Sequence, residues 1–173
     1  MAASTNQSVN QSTVINNIEF AQKALEIHDI ISLLQFSRVQ DLLAHADGQL
    51  ACSLRGGKDS NKVAYLQLKV LGNVALTCQR CLQPFEHEIK VDTHFLLVRD
   101  ESEMPAPEEE GDDEDYLPIQ AEMHVLDLIE DEVLLALPIA PKHKEGACTN
   151  ENNIETYKKP NPFAKLALLK SKK

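Results

Sequence analysis

Two cysteines separated by two residues, Cys78 and Cys81, are the side chains of this sequence best suited to bind a metal ion. One tight turn can direct both thiolates of such a pair at the same ion, and this spacing forms half of many structural zinc sites. A closed tetrahedral site needs two more ligands, which His143 and Cys148 supply most naturally, with His87 a weaker candidate. We therefore predict that the turn at Cys78 meets the loop that carries His143.

Two other interpretations of this cysteine pair stay open. Free cysteine is among the most buried residue types, so both thiols could be ordinary small core groups without a metal. A redox pair of the thioredoxin type stands at the N-terminus of a helix, which lowers the thiolate pKa. Here Leu82-Gln83-Pro84-Phe85 and a predicted strand follow the pair, so that support is missing. Cys52 lies on the inward side of another predicted strand, and we expect it to be a core residue.

No recognisable catalytic arrangement is present in the sequence. The six histidines are scattered, and no glycine-rich phosphate loop opens a helix. Because the roles that a catalytic site requires are not filled, we predict a protein that is not an enzyme and takes no small-molecule substrate. The helix predicted over 123–137 carries acids that fan around it rather than pairing, and we interpret them as a solvated face or as an acidic surface for a partner. These acids are Asp127, Glu130, Asp131 and Glu132.

The charge is strongly negative but unevenly distributed. The net charge of −10 opposes general affinity for nucleic acid, and 5% aromatic residues without Trp disfavour base stacking as a binding mode. Residues 100–115 contain ten acids and no bases, which is typical of a solvated loop, whereas residues 158–173 form a basic tail with six lysines and no acids. The candidate contacts for RNA or a partner are Arg80, Lys142, Lys144, Lys158, Lys159, Phe163, Lys165 and Lys170.

Hydrophobic periodicity predicts an α+β fold with an antiparallel sheet. Apolar residues alternate with polar ones over 49–55, 63–78 and 86–98, so the last two strands form a long hairpin around the cysteine pair. Residues 116–119 read as a short edge strand, and the helix over 123–137 covers one face and stops at Pro138. The remaining predicted elements are a disordered arm (1–16), two short helices between Ile18 and Leu43, one domain (17–157) and a last helix (163–170).

Four stretches of the sequence, in order, resemble the YceD family, the large ribosomal RNA subunit accumulation proteins. The stretches are Cys78-Gln79-Arg80-Cys81-Leu82-Gln83-Pro84-Phe85, the acidic helix from Asp127 to the Leu-Pro-Ile-Ala-Pro that ends at Pro141, the His143 and Cys148 pair, and Lys159-Pro160-Asn161-Pro162-Phe163-Ala164-Lys165-Leu166. The resemblance implies a role in accumulation of bacterial 23S ribosomal RNA, without catalysis. Some relatives carry further cysteines there that look like a complete zinc site, whereas this chain has only the His/Cys pair.

The partners expected from these observations are 23S ribosomal RNA or a pre-50S particle. A rival interpretation is an acidic adaptor that holds a basic ribosomal protein and affects the RNA indirectly, which the net charge favours. The first residues have neither a basic start nor an apolar run, so we expect a cytoplasmic protein without membrane association. One structural zinc ion is the cofactor expected if the cysteine pair binds a metal, and otherwise we expect no cofactor.

Overall fold

The protein is an α+β fold built on one large sheet, and the structure, a computed structural model, describes residues 4–5, 9–99 and 115–148. The described strands are β1 (Ser4–Thr5), β2 (Val14–Ile15), β3 (Glu26–Ser32), β4 (Leu43–His45), β5 (Gln49–Lys58), β6 (Ala64–Thr77), β7 (Pro84–Val98), β8 (Asp115–Pro118) and β9 (Met123–His124). The described helices are α1 (Asn17–Gln22) and α2 (Val125–Ala136), with 3-10 turns at Leu33–Gln35 and Gln40–Leu42.

The centre of the sheet is antiparallel, as predicted. Its strands follow the order β1-β3-β5-β6-β7-β8, with β4 also paired to β6, while β2 and β9 pair separately. The parallel pairs are at the edges, where β1 meets β3 and β8 meets β7. The longest pairing joins β6 to β7 and runs down to Thr77 opposite Pro84. The predicted hairpin around the cysteine pair is therefore confirmed, and the pair lies at its tip.

Period-two alternation along the strands produces the core. In β6, Leu66, Leu68 and Val70 are buried, whereas Gln67 and Lys69 between them reach solvent. Successive side chains of a strand point to opposite faces, so one face of the sheet packs and the other stays wet. Burying such side chains contributes roughly 1.5–3 kcal/mol each, which makes this face the main source of stability.

Helix α2 covers the packed face and ends at a proline, as the sequence predicted. Val125, Ile129 and Val133 are buried on one stripe of the helix. Leu137 leaves the helix with an extended backbone because the ring of Pro138 disfavours the helical region for the residue before it. In the parts of the chain that the structure describes, no helix is both long and apolar enough to cross a bilayer.

Of the two short helices predicted between Ile18 and Leu43, the second is wrong and the first ends before Ile27, which lies in a strand. Helix α1 forms, but strand β3 and two 3-10 turns occupy the rest. Ile27 and Ile31 are buried in register with Leu54 and Leu50 of β5. The apolar spacing fitted a short helix as well as a strand, and pairing with β5 decided between them.

The predicted disordered arm is corrected for residues 9–16, which are ordered. Val9 is 2% exposed, and its N–H donates to Asp29 Oδ2 at 2.6 Å. Val14 and Ile15 form β2 against β9. Polar composition predicted disorder, yet long-range pairing and one buried valine hold the segment.

The predicted edge strand is present as β8. The acidic tract before Asp115 and the C-terminal tail with its predicted last helix lie outside the described residues.

Candidate metal centre

The hairpin tip presents Cys78 and Cys81 on a tight turn. The N–H of Cys78 donates to Gln83 O at 3.0 Å, and the N–H of Leu82 donates to Cys78 O at 2.8 Å. Leu82 has a φ of +60°, in the left-handed region that non-glycine residues seldom adopt. These bonds curl the chain around the two thiols, which gives a metal-binding turn its shape.

A backbone hydrogen bond ties the loop after α2 to this turn. The N–H of Gln79 donates to Pro141 O at 2.9 Å, so the first residues of the loop lie beside the cysteines. Farther on, Ala147 N–H donates to Lys144 O at 3.1 Å, and Gly146 has a φ of +79°, which glycine adopts without strain. This second turn folds the loop back on itself and returns it to the hairpin tip.

Four side chains meet where the two turns face each other. They are Cys78, Cys81, His143 and Cys148, and their ligand atoms all lie within 4.8 Å of one another. The Sγ atoms of Cys78 and Cys148 are 3.8 Å apart. His143 Nδ1 lies 3.3 Å from Cys81 Sγ and 3.6 Å from Cys148 Sγ. The predicted meeting of the turn and the loop is therefore observed, across about seventy residues of sequence.

These separations fit a tetrahedral metal ion. With Zn–S bonds of about 2.3 Å, two sulfurs at the tetrahedral angle are about 3.8 Å apart. With a Zn–N bond of about 2.0–2.1 Å, sulfur and nitrogen are about 3.5 Å apart. A disulfide would need about 2.05 Å between sulfurs, and all four cysteines of the chain are free. The Cys3His cluster can thus hold one metal ion.

The environment of the cluster is dry and favours one thiolate strongly. Cys78 is fully buried. Burial would raise the pKa of its thiol, but backbone hydrogen bonds from His143, Cys81 and Arg80 outweigh it and bring the pKa to about 5. The pKa of Cys81 is raised, because burial and the other thiols outweigh a lowering backbone bond from Gln83. Negative charge therefore concentrates on Cys78 when no cation is bound.

Comparison with known proteins places this centre in a family. The chain matches the family described as large ribosomal RNA subunit accumulation protein YceD over residues 66–170, a range that includes all four ligands. The chain belongs to the YceD family. It is 28% identical over 180 residues to the large ribosomal RNA subunit accumulation protein YceD of Haemophilus influenzae, covering 96% of this chain and 99% of that protein. No solved structure matches the chain.

The predicted basic contacts of this YceD-family chain fall into three groups. Lys142 and Lys144 are exposed on the loop that carries His143. Arg80 is exposed too, but its Nε donates to Cys148 Sγ at 3.2 Å, so it contacts the metal centre itself. The tail residues lie outside the described residues. His87 on β7, the weaker candidate for a metal ligand, is not part of the Cys/His cluster.

The acidic partner surface predicted on α2 is wrong for Glu130. That side chain is 4% exposed. Its Oε1 accepts the N–H groups of Arg38 at 2.6 Å and Val39 at 3.1 Å, and its Oε2 accepts Arg38 Nε at 3.0 Å. Asp131 accepts Arg38 Nη1 at 2.6 Å, so both acids bind the protein's own arginine. Helical spacing predicted the positions of these acids but contained no signal for Arg38, which lies some ninety residues away.

The other two acids of α2 differ from each other. Glu132 accepts the hydroxyl of Thr93 at 2.6 Å, and burial raises its pKa. Asp127 is exposed, and its backbone oxygen accepts Arg38 Nη2 at 3.4 Å. Of the four acids, then, only Asp127 keeps a side chain without a bond to another described element.

Cys52 is buried in the core, as predicted, and burial raises its pKa to about 12.

Proposed function

We propose that this YceD-family protein is a cytoplasmic, non-enzymatic factor that supports accumulation of large-subunit (23S) ribosomal RNA by binding the RNA or a pre-50S particle. Membership of the family over residues 66–170 carries the proposal, because the family and the Haemophilus influenzae relative are both described by accumulation of the large ribosomal RNA subunit. Neither description names a reaction. The described residues are compatible with this function, since the Cys/His cluster could hold an ion with all four positions filled by the protein.

The metal centre is proposed to bind one structural zinc ion. Three thiolates and one imidazole form a donor set that zinc prefers, and four protein ligands leave no open coordination position for chemistry. Bound zinc would supply a cross-link between the tip of the β6–β7 hairpin and the loop after α2. The chain's own contribution is to hold that loop in place through the bond from Gln79 to Pro141. Metal analysis of protein purified under reducing conditions tests this, and less than about a tenth of a zinc per chain contradicts it.

The RNA contact is proposed to lie around this loop and along the tail that follows it. Exposed Lys142 and Lys144 flank His143, and Lys158, Lys159, Lys165 and Lys170 follow Cys148 in sequence, with Phe163 among them. Locally this is a strongly basic stretch in an otherwise acidic protein. Neutralising about six phosphates makes binding steeply salt-dependent, because each neutralised phosphate releases bound counterions.

A binding titration of 23S ribosomal RNA fragments over a salt series tests the RNA contact. We expect the logarithm of the affinity to fall linearly with the logarithm of salt concentration, and Lys142→Gln/Lys144→Gln to reduce both affinity and slope. The matched control is Lys58→Gln/Lys62→Gln at the β5–β6 turn. This turn is at the other end of the 14-residue strand β6, about 45 Å away at roughly 3.3 Å per residue. Absence of binding at low salt, or an equal loss in the control, refutes direct RNA recognition by this loop.

The adaptor interpretation rests on the net charge of −10 and on the acidic tract 100–115. Helix α2 gives the adaptor interpretation little support, because two of its acids, Glu130 and Asp131, already bind Arg38. The same titration, repeated with basic ribosomal proteins in place of RNA, separates the two functions. Binding of such a protein without binding of RNA would favour the adaptor.

A further inference from the structure

Arg80 connects the two halves of the metal centre through its side chain. It lies between the two cysteines of the hairpin turn, and its Nε donates to Cys148 Sγ at 3.2 Å across 68 residues of sequence. Cys148 is 6% exposed, so this sulfur has little access to water. A guanidinium N–H that meets a buried sulfur is a charge-assisted bond when the sulfur is a thiolate, and such bonds are stronger than neutral ones.

Charge counting shows why the centre needs such a group. A Zn²⁺ ion carries +2, three thiolates carry −3 and a neutral imidazole adds nothing, so the loaded centre carries −1. A net charge in a poorly hydrated place is costly unless an opposite charge is near. The guanidinium supplies that charge at hydrogen-bond distance from Cys148 Sγ, whereas the described side chains of Lys142 and Lys144 make no such bond to the cluster.

We propose that Arg80 is a positioning residue of the metal centre, which orients the Cys148 thiolate toward the ion and offsets the net charge of −1. This inference rests on the proposed zinc site and deepens it. It assigns Arg80 to the metal rather than to RNA, in contrast to the contact expected from its charge and position in the sequence. The planar guanidinium of Arg80 directs its Nε–H at the sulfur, a geometry that Lys does not reproduce.

The expected effect is on metal affinity. Loss of a side chain that orients a metal ligand typically costs about 10–100-fold in affinity, and because Arg80 is exposed we expect Arg80→Gln to lose about tenfold. Arg80→Lys keeps the positive charge without the planar fork and is expected to fall between wild type and Arg80→Gln. Arg55→Gln removes an exposed arginine from the wet face of β5 and is the matched control.

The test titrates Zn²⁺ into the reduced full-length protein against a colorimetric chelator, for wild type and these three variants. Co²⁺ loading adds a second readout, because thiolate-to-cobalt charge-transfer absorption reports on the three cysteine ligands. We expect weaker Zn²⁺ binding and a weaker charge-transfer band for Arg80→Gln, with wild-type values for Arg55→Gln. Far-UV circular dichroism of each variant confirms that it is folded.

Each outcome decides one question. Equal Zn²⁺ affinity for Arg80→Gln and Arg55→Gln overturns the role of Arg80 but leaves the zinc site intact. Unchanged Zn²⁺ affinity combined with weaker binding of 23S RNA fragments returns Arg80 to the RNA contact and likewise overturns the inference. Wild type that binds no Zn²⁺ overturns the zinc site itself, and the inference with it.

Discussion

Two polar clusters join α2, or the loop after it, to distant parts of the chain. They differ in whether their polar groups find hydrogen-bond partners within the protein. In the Glu130 cluster (Arg38, Val39, Glu130 and Asp131), one buried carboxylate meets three N–H donors. In the metal centre, three thiols and an imidazole meet each other, and among the described residues Arg80 Nε donates to one of the sulfurs. Both clusters join segments distant in sequence.

The difference separates a structural contact from a candidate ligand site. Among the described residues, no buried side-chain nitrogen or oxygen lacks a partner, so the Glu130 cluster is complete as it stands. The metal centre instead gathers three thiols that become anions on deprotonation, and three such charges held together in a buried place need a cation among them.

Cys78→Ser should remove the metal and the stability that depends on it. We expect zinc content to fall from about one per chain to below a tenth, because four ligands are needed to close the site. In wild type, free zinc at a thousand times its Kd should add about 4 kcal/mol to the free energy of unfolding, and this increment should vanish in the variant. Urea unfolding with and without chelator measures it. Cys52→Ala, which changes a buried cysteine outside the cluster, should keep its zinc; metal loss there would break the contrast.

Glu130→Ala should destabilise the fold without affecting the metal. Removing one partner of a buried ion pair costs about 3–5 kcal/mol, and since Arg38 is half exposed we expect about 3 kcal/mol. Asp131→Asn removes an exposed partner of the same arginine and should cost at most about 1 kcal/mol. Urea unfolding gives both values, and zinc analysis should be unchanged. A loss of zinc in Glu130→Ala would mean that the two clusters are coupled.

Leu82→Gly should stabilise the hairpin tip slightly. Leu82 has a φ of +60° and an exposed side chain, so glycine relieves backbone strain without losing core contacts. The expected gain is about 1 kcal/mol or less in the zinc-free protein, because glycine also adds freedom to the unfolded chain. Ala24→Gly, at a φ of +48° after α1, is the control for strain relief outside the centre. A gain in Ala24→Gly but not in Leu82→Gly would show that the tip relaxes without metal.

Glu132 should make a small, pH-dependent contribution to stability. Burial raises its pKa above the unfolded value of 4.5. The folded state therefore favours the protonated form, and the ionised carboxylate costs stability as the pH rises from 4.5 through the raised folded pKa. Glu132→Gln should match wild type below that window and exceed it at pH 7 by less than about 1 kcal/mol. Thermal unfolding of both proteins over a pH series checks the sign, and a wild type that is more stable at pH 7 would reverse it.

Much of the scaffold around the metal centre was predictable from local patterns. Alternation over residues 49–98 predicted three long strands, and the spacing of Cys78 and Cys81 predicted a metal-binding turn between two of them. Periodicity and Pro138 predicted α2 to within two residues at its start. These signals are local because side-chain direction in a helix or strand repeats over a few residues.

The partners of other side chains, outside the Cys/His cluster, were decided by tertiary structure alone. Ile27 and Ile31 became strand residues because β5 lies beside them, and Glu130 is buried because Arg38 and Val39 point their donors at it. Arg80 likewise bonds a sulfur 68 residues away. Such contacts depend on which surfaces the packed sheet brings together, and no short window of sequence encodes that.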